Sequence, residues 1–455
     1  MILSSKLTFI ALSTIIQAVY AVDLQISDKD SICSAASLVA DGMMNYYSGS
    51  QYGGTVGMFQ PPYYWWQAGH AFGGLLDHWY YCQNTTYENV LYSSLIAQTG
   101  TNYDYIPKNQ STTEGNDDQG FWGLFVMAAA ERNFTEPHGD DKKVPSWLTM
   151  SQAVYNTMWK RWDRENCGGG LRWQIFTWNS GYNHKNTVST ACLFHMAGRL
   201  ARFTGNDSYA EVADEVYQWL IDAHFLEEAD AARVYDGADI ADNCSNVVKL
   251  EWTYNYGLLL GGAAYLYNAT QEDIWMHRVQ NLVEGSKVFF NNSIMYERAC
   301  QGGGTCNTDQ RSFRAVFSRA LGLTSLLVPS LYDDIRPLLE KSASAAAKSC
   351  SGGTDGITCG QDWTVNGWDN KYGLGEQMAA LEVMLSLLPG TMPAPLDHND
   401  SGVNTTGDYN AGLDSNTNQL DHEPLNIQTK DKAGAAIITA VVLFIIILGA
   451  IWMII

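Results

Sequence analysis

Thr190–Leu220 reads TACLFHMAGRLARFTGNDSYAEVADEVYQWL, two helices of opposite character joined by a short turn. From Thr190 to Gly198 apolar and small residues fall on every side, the pattern of a helix surrounded by others. Beyond the turn Thr204-Gly205-Asn206-Asp207-Ser208-Tyr209 the pattern changes: Tyr209, Val212, Ala213, Val216, Trp219 and Leu220 recur at i, i+3, i+4, i+7, i+10 and i+11, while Glu211, Asp214 and Glu215 fill the other face. That helix buries one stripe only, so the stretch is a hairpin of an inner and an outer helix.

The alternation extends from Ser31 to Leu388. Helical periodicity marks about twelve segments, at about 31–48, 63–83, 86–99, 117–131, 146–162, 184–204, 207–223, 254–267, 271–287, 312–328, 332–348 and 370–388. Even-numbered segments are uniformly apolar or small, as in GLLLGGAAY from Gly257 to Tyr265. Short even-to-odd turns repeat a form, Gln83-Asn84-Thr85-Thr86-Tyr87 being matched by Tyr267-Asn268-Ala269-Thr270-Gln271. A weak repeat of about 50–70 residues suggests stacked helical hairpins. Six of them closing on themselves predict an all-α fold, an (α/α)6 toroid; an open solenoid is the other arrangement.

The longer odd-to-even links bring polar and aromatic residues to the start of each even helix: Tyr63-Tyr64-Trp65-Trp66-Gln67, Asn116-Asp117-Asp118-Gln119, Tyr182-Asn183-His184-Lys185-Asn186, Tyr254-Asn255-Tyr256-Gly257, Arg311-Ser312-Phe313-Arg314 and Trp368-Asp369-Asn370-Lys371-Tyr372-Gly373. In a closed ring these six clusters meet at one mouth. Only the second carries adjacent carboxylates, followed by Phe121 and Trp122. On these residues alone two readings stand: acid/base chemistry on a ring-shaped substrate, or helix capping, with Asn116 as N-cap and acidic residues opposing the macrodipole. Asp333-Asp334 runs into Ile335-Arg336-Pro337 with no aromatic following it and reads as capping charge.

The termini point to secretion. Met1–Ala21 holds Lys6, an apolar run and a small-residue exit, the anatomy of a signal peptide. Residues 22–390 form the expected catalytic domain, 391–432 a polar linker, and 433–455 an apolar tail. A polar stretch before a terminal apolar run reads as a GPI-anchor signal, with Asn410-Ala411-Gly412 or Ser415-Asn416-Thr417 as attachment regions; a retained membrane helix is the alternative. The protein is expected on the outer face of the plasma membrane. Sequons at Asn84, Asn109, Asn133, Asn206, Asn243, Asn268, Asn291, Asn399 and Asn404 mark expected surface turns of a glycoprotein.

Nine cysteines in an oxidising compartment allow four disulfides. Short loops favour Cys300 with Cys306 and Cys350 with Cys359, and Cys192, mid-helix and apolar, is the expected free thiol. CxxC and HExxH are absent and His70, His78, His184 and His195 lack ligand spacing, so neither a metal nor another cofactor is expected. A net charge of −21 disfavours nucleic acid and anionic membrane surfaces as partners, whereas neutral glycans remain compatible. Fifteen Trp and 25 Tyr supply aromatic faces on which sugar C–H surfaces can stack.

Asp117-Asp118-Gln119-Gly120-Phe121-Trp122, Gly169-Gly170-Leu171-Arg172-Trp173, Lys185-Asn186, Thr253-Tyr254-Asn255 and Gly373-Leu374-Gly375-Glu376-Gln377, in that order, resemble glycoside hydrolase family 76, the endo-α-1,6-mannanases, and especially its fungal GPI-anchored members. The resemblance covers about residues 31–390 and implies an (α/α)6 barrel. It implies a retaining mannan endo-1,6-α-mannosidase or transglycosylase, with Asp117 as nucleophile and Asp118 as acid/base. It further implies an α-mannoside donor, mannan or the GPI-core glycan, and a β-glucan acceptor, in cell wall biogenesis. Expected substrate contacts are Trp65, Trp66, Gln119, Trp122, Lys185, Asn186, Tyr254, Asn255 and Asp236, although Asp236-Gly237 reads rather more readily as a turn. Tyr256 stands where bacterial relatives are expected to carry Gln. A non-catalytic mannan-binding scaffold that keeps the cleft is the competing function.

Overall fold

A computed structural model describes residues 21–137, 144–413 and 429–454. All but the last residue of the expected signal peptide, and the Ser415-Asn416-Thr417 attachment region, lie outside the described residues. Within them the chain forms thirteen α-helices and only short strands. The helices are α1 (Lys29–Met44), α2 (Trp65–Cys82), α3 (Glu88–Ala97), α4 (Asn116–Glu131), α5 (Trp147–Lys160), α6 (Thr187–Thr204), α7 (Asp207–Asp222), α8 (Thr253–Thr270), α9 (Asp273–Ser286), α10 (Phe313–Leu327), α11 (Tyr332–Ser349), α12 (Leu374–Leu385) and α13 (Thr429–Ile454). The first twelve overlie the twelve periodic segments.

Burial separates inner from outer helices as the periodicity indicates. Every residue of α6 from Thr187 to Phe203 is buried, whereas α7 buries a stripe containing Tyr209, Ala213, Val216, Trp219 and Leu220 and exposes Glu211, Asp214 and Glu215. The same contrast holds between α8, buried from Asn255 to Leu266, and α9, which buries Trp275, Val279, Leu282 and Val283 on one face. One boundary differs from expectation. Residues 184–186 do not begin α6; they form a short strand antiparallel to Gly237–Asp239, and Asn186 caps the helix by accepting the Ser189 N–H at 3.2 Å. Asp236-Gly237 is therefore extended chain rather than a turn, since the ladder pairs Gly237 with Asn186.

Two compact units make up the chain. One comprises residues up to Ser94 with Glu228–Arg233 and Leu250–Leu396, and the other Leu95–Glu227, Val234–Lys249 and the chain from Asp397. In the first, α10 packs against α8, α11 and α12, and α1 against α2 and α12. A buried ion network crosses this packing: Arg319 of α10 donates to Asp77 of α2 at 2.7 Å and lies 3.5 Å from Glu382 of α12, with His70 3.7 Å from the same carboxylate. Burial and the Arg319 charge hold His70 well below the usual imidazole range, so it sits there neutral. In the second unit α4 packs between α5 and α6, and Arg199 of α6 clamps Glu131 of α4 through two hydrogen bonds in the core.

Disulfides join Cys33 to Cys82, Cys167 to Cys244, Cys300 to Cys306 and Cys350 to Cys359, and the Cys192 thiol is free and buried. Of the sequon asparagines, Asn109, Asn133, Asn243, Asn291, Asn399 and Asn404 are exposed, while Asn84, Asn206 and Asn268 are half-buried. The Asn268 amide nitrogen, where a glycan would attach, already donates to the Leu327 carbonyl at 3.1 Å. In α13 the stretch Lys432–Ile451 is long and apolar enough to cross a membrane, with none of it buried.

Candidate active site

Helix α4 is buried at fourteen of its sixteen positions; the exceptions, Asp117 and Asp118, are half-buried. Its apolar body explains the burial, and the first turn explains the exception, because that is where a helix N-terminus emerges with unpaired N–H groups. The N-cap is Gly115, not Asn116. Asn116 is instead the first helical residue, and its side chain donates to the Arg172 carbonyl at 2.8 Å and accepts from Arg161 Nε at 2.7 Å. Asp118 does the capping: its Oδ2 accepts the Gly115 N–H at 2.7 Å. Asp117 Oδ1 accepts the Asp118 N–H at 3.0 Å. A Cβ on Gly115 would stand 2.2 Å from Asp117 Oδ1 and 2.8 Å from the Trp173 carbonyl oxygen, so the close approach needs glycine.

Extended chain holds this turn in place. The Asn116 N–H donates to the Trp173 carbonyl at 2.7 Å, Trp173 N–H to the His184 carbonyl at 2.7 Å, and Lys185 pairs with Ala238 in the short ladder. Lys185 itself is fully buried, and its ammonium donates to the Asp163, Asn166 and Gly169 carbonyls and lies 3.4 Å from the Asp163 carboxylate. Burial lowers it to about 8 against the opposing pull of Asp163. Burial alone would raise Asp163, but Lys185 and Arg172 hold it below the usual carboxylate range. Lys185 is thus spent on anchoring the 163–169 loop, which the Cys167–Cys244 disulfide also ties.

Behind the pair lies a buried polar layer. Gln119 donates to the Asp104 carbonyl and Thr157, and Arg161 donates to Gln119 Oε1. Burial pushes Asp104 up to about 6, against Arg161, and Glu114 well above the carboxylate range, where Asp118 and Asp104 raise it further. Trp122 is fully buried and stacks on Tyr105 with centroids 5.5 Å apart, making it core. Beneath the turn, a Cβ at Gly120 would meet Cys192 Cβ at 2.4 Å, so α4 and α6 are in near backbone contact and the thiol fills the seam.

The aromatic surface of this unit lies elsewhere than expected. Trp173 is 38% and Trp178 40% exposed, and Trp178 stacks on Phe176 at 4.9 Å. Trp173 gives its carbonyl to the first N–H of α4, which places its backbone beside the carboxylates. The motif Gly169-Gly170-Leu171-Arg172-Trp173 was the available signal for it. Asp236 is half-buried at the end of the ladder, and its carbonyl accepts the Thr187 N–H at 2.8 Å.

The remaining expected contacts belong to the first unit. Trp65 and Trp66 are both buried, and Trp66 Nε1 donates to Asp309 at 2.8 Å. Burial pushes Asp309 up to about 6, with the Trp66 bond opposing. Tyr254 is half-buried and stacks on Phe313 with centroids 3.8 Å apart. Asn255 is fully buried, and neither amide atom has a hydrogen-bond partner among the described residues. Next to it Glu297 caps α8 by accepting the Thr253 N–H at 3.2 Å and the Thr253 hydroxyl; burial still pushes Glu297 up to about 8. Tyr256 points into packing, donating to Glu251 at 2.8 Å and meeting Phe289 edge-on.

Residues 31–399 match the family model described as Glycosyl hydrolase family 76. The chain belongs to glycosyl hydrolase family 76. This family 76 chain is 57% identical to the mannan endo-1,6-alpha-mannosidase DFG5 of Saccharomyces cerevisiae over 100% of its own length and 98% of the relative's. It is 55% identical to the protein of the same name from Candida albicans, with 100% of each chain covered. Among solved structures, Dfg5 from Chaetomium thermophilum in complex with glucosamine is 37% identical and covers 86% of this chain and 98% of that one, with a TM-score of 0.81. An inactive variant of the α-1,6-mannanase from Salegentibacter sp., in complex with α-1,6-mannotriose, is 18% identical, covers 79% and 99%, and has a TM-score of 0.62. Family 76 neighbours are α/α toroids, the fold expected from the hairpin pattern, and this chain is a glycoside hydrolase of the family. Among the described residues no cluster of His, Cys, Asp and Glu could hold a metal ion.

Proposed function

We propose that this family 76 enzyme acts on α-1,6-mannosidic bonds with retention of configuration, Asp117 as nucleophile and Asp118 as acid and then base. The observation that carries this reading is that α4, buried along its length, reaches solvent only at these two carboxylates. The names of the relatives at 55–57% identity support the substrate class. Neighbours on one helical turn point about 100° apart and can aim at one atom. That suits the separation of about 5–5.5 Å used in retention rather than the 6.5–9.5 Å of inversion.

In the first step Asp118 gives its proton to the glycosidic oxygen as Asp117 bonds to the anomeric carbon, breaking the bond to the leaving sugar. In the second, Asp118 takes the proton of an attacking hydroxyl, which displaces Asp117 and restores both carboxyls. The Gly115 N–H bond to Oδ2 orients the carboxyl that transfers the proton. In the unit that carries the pair, Asp236 and the exposed Trp173 are the groups best suited to contact sugar. Gln119, Trp122, Lys185 and Asn186, all buried, act in support.

The finer reading is transfer: the GPI-core glycan as donor and β-glucan as acceptor, in cell wall biogenesis, by a protein held at the outer membrane face through a GPI anchor. Exposed aromatics suit an acceptor, and the apolar Lys432–Ile451 stretch suits an anchor signal. Mass spectrometry of products from a GPI-core glycan, with and without β-1,6-glucan, tests it. Transferred glycan is expected with acceptor present; free glycan alone at saturating acceptor establishes hydrolysis instead. Release of the mature protein from membranes by phospholipase C checks the anchor, and retention argues for a membrane helix.

A further inference from the structure

Arg161 ends α5 as its C-cap, its own N–H bonded to the Met158 carbonyl at 3.0 Å, and its side chain reaches the first turn of α4. One edge of the guanidinium makes the contact: Nε donates to Asn116 Oδ1 at 2.7 Å, and Nη2 donates to Gln119 Oε1. Both amides are buried and are held at their nitrogens as well. Asn116 Nδ2 donates to the Arg172 carbonyl at 2.8 Å, and Gln119 Nε2 donates to the Asp104 carbonyl at 2.7 Å and to Thr157 Oγ1 at 2.8 Å. Carbonyls can only accept, so each amide nitrogen faces its carbonyl and each amide oxygen is turned to Arg161.

The two gripped residues bracket the carboxylates. At about 100° per residue, Asn116 and Gln119 stand about 60° apart on one side of α4, and Asp117 and Asp118 leave from the opposite side. A planar fork that holds two oxygens in fixed places sets the rotation of this turn about the helix axis, which an ammonium, a point donor, does not. That rotation aims the pair.

A tie between helices takes another form in the same unit, where Arg199 joins α6 to α4 through the buried Glu131 carboxylate. Arg161 instead grips two neutral amide oxygens, with no carboxylate in ion-pair contact among the described residues, while Asp104 and Glu114 act on its charge from farther off. Burial lowers it to about 10 against those two carboxyls, so it keeps its proton and the fork keeps its donors. Taking a cation out of water for neutral partners is costly, and an apolar side chain would join α5 to α4 at less cost.

We infer that Arg161 is a positioning residue for the reaction: by clamping Asn116 and Gln119 it fixes the direction in which Asp117 and Asp118 project. The inference rests on the reading of those two carboxyls as nucleophile and acid/base, and Arg161 acts through the turn that carries them.

The test is steady-state kinetics of the full mature protein on α-1,6-mannan, with melting curves alongside. Arg161→Lys keeps the charge and loses the fork; kcat is expected to fall about 100-fold, as for a displacement near 1 Å, with KM changed by less than about threefold. Asn116→Ala removes one of the two clamped oxygens and is expected to lower kcat about tenfold, the equivalent of one hydrogen bond to a charged group. The double variant should lose less than the product of the two, since both substitutions break one contact. A side chain that only tied α5 to α4 would lower the melting temperature and leave kcat of the folded protein near the parental value. That result, a loss confined to KM, or fully multiplicative losses overturns the inference. If Arg161→Lys does not fold, Asn116→Ala decides by kcat and KM alone. Asp117→Asn is the control on the reading beneath. Near-parental turnover by Asp117→Asn, or a parent inactive on mannan, overturns the assignment of the pair and the inference with it. An inactive Asp117→Asn beside fully active Arg161 and Asn116 variants overturns the inference alone.

Discussion

The Gly115 N–H donates to Asp118 Oδ2 at 2.7 Å, joining the residue that caps α4 to the proposed acid/base carboxyl. Capping, the alternative to catalysis when only the sequence is considered, is here done by the same carboxyl that is proposed as acid/base. The cap fixes the orientation of Asp118. The helix dipole favours negative charge at this end, which also suits a nucleophilic carboxylate at Asp117.

Gly115→Ala tests that coupling. The new Cβ would stand 2.2 Å from Asp117 Oδ1 and 3.2 Å from Asp118 Oδ2, so both carboxylates must move. A displacement near 1 Å is expected to cost about 100-fold in kcat. Steady-state kinetics on an α-1,6-mannan substrate, alongside a melting curve to confirm folding, checks this. Near-parental kcat would mean that the pair does not need this geometry.

Lys185→Met separates support from recognition. Removing the buried ammonium takes a donor from three carbonyls and one of two cations from Asp163, which keeps Arg172, and the expected loss of stability is about 3 kcal/mol. Denaturant unfolding measures it. A raised KM with unchanged stability would instead identify Lys185 as a sugar ligand.

The contrast between Lys185 and Trp173 shows what the sequence could convey. Periodicity alone located the twelve helices and told inner α6 and α8 from outer α7 and α9, because burial on all sides leaves a compositional trace. It also singled out the link that bears Asp117 and Asp118. What it could not convey was the direction of individual side chains in those links. Lys185 and Trp122 look like ligands by type and position, yet one turns into a loop and the other into the core. The ladder that turns Lys185 away pairs residues more than 50 apart in sequence, a register that no local pattern encodes. The buried Arg319, Asp77 and Glu382 network was equally hidden, since isolated charges on three separate helices carry no joint signal.

Glu297→Gln should reveal a pH-dependent cost. Burial raises Glu297 from 4.5 to about 8, so the folded state holds its proton where the unfolded chain has lost it. Its stabilising contribution is fully present below about pH 4.5 and is lost as pH rises toward 8. Glutamine keeps the neutral form at every pH. Thermal unfolding at pH 5 and pH 8.5 should therefore show the parent losing stability relative to Glu297→Gln as pH increases, by an amount on the order of a few kcal/mol. An identical difference at both values would show that Glu297 is already ionised at pH 5.

The roles of the pair are separable by azide. With a donor that carries a good leaving group, Asp118→Gly removes the proton donor but leaves Asp117 able to form the glycosyl ester. Azide then attacks the ester from the opposite face and gives α-mannosyl azide, with the donor's configuration kept. Asp117→Gly opens the nucleophile's place, where azide attacks the donor directly, with Asp118 still in position, and gives the β anomer. Proton NMR of the products distinguishes the anomers. The opposite pattern would exchange the two roles. If neither variant forms an azide product, while both fold and the parent is active, the two-step mechanism fails, since each half of it predicts a trapped product of defined configuration.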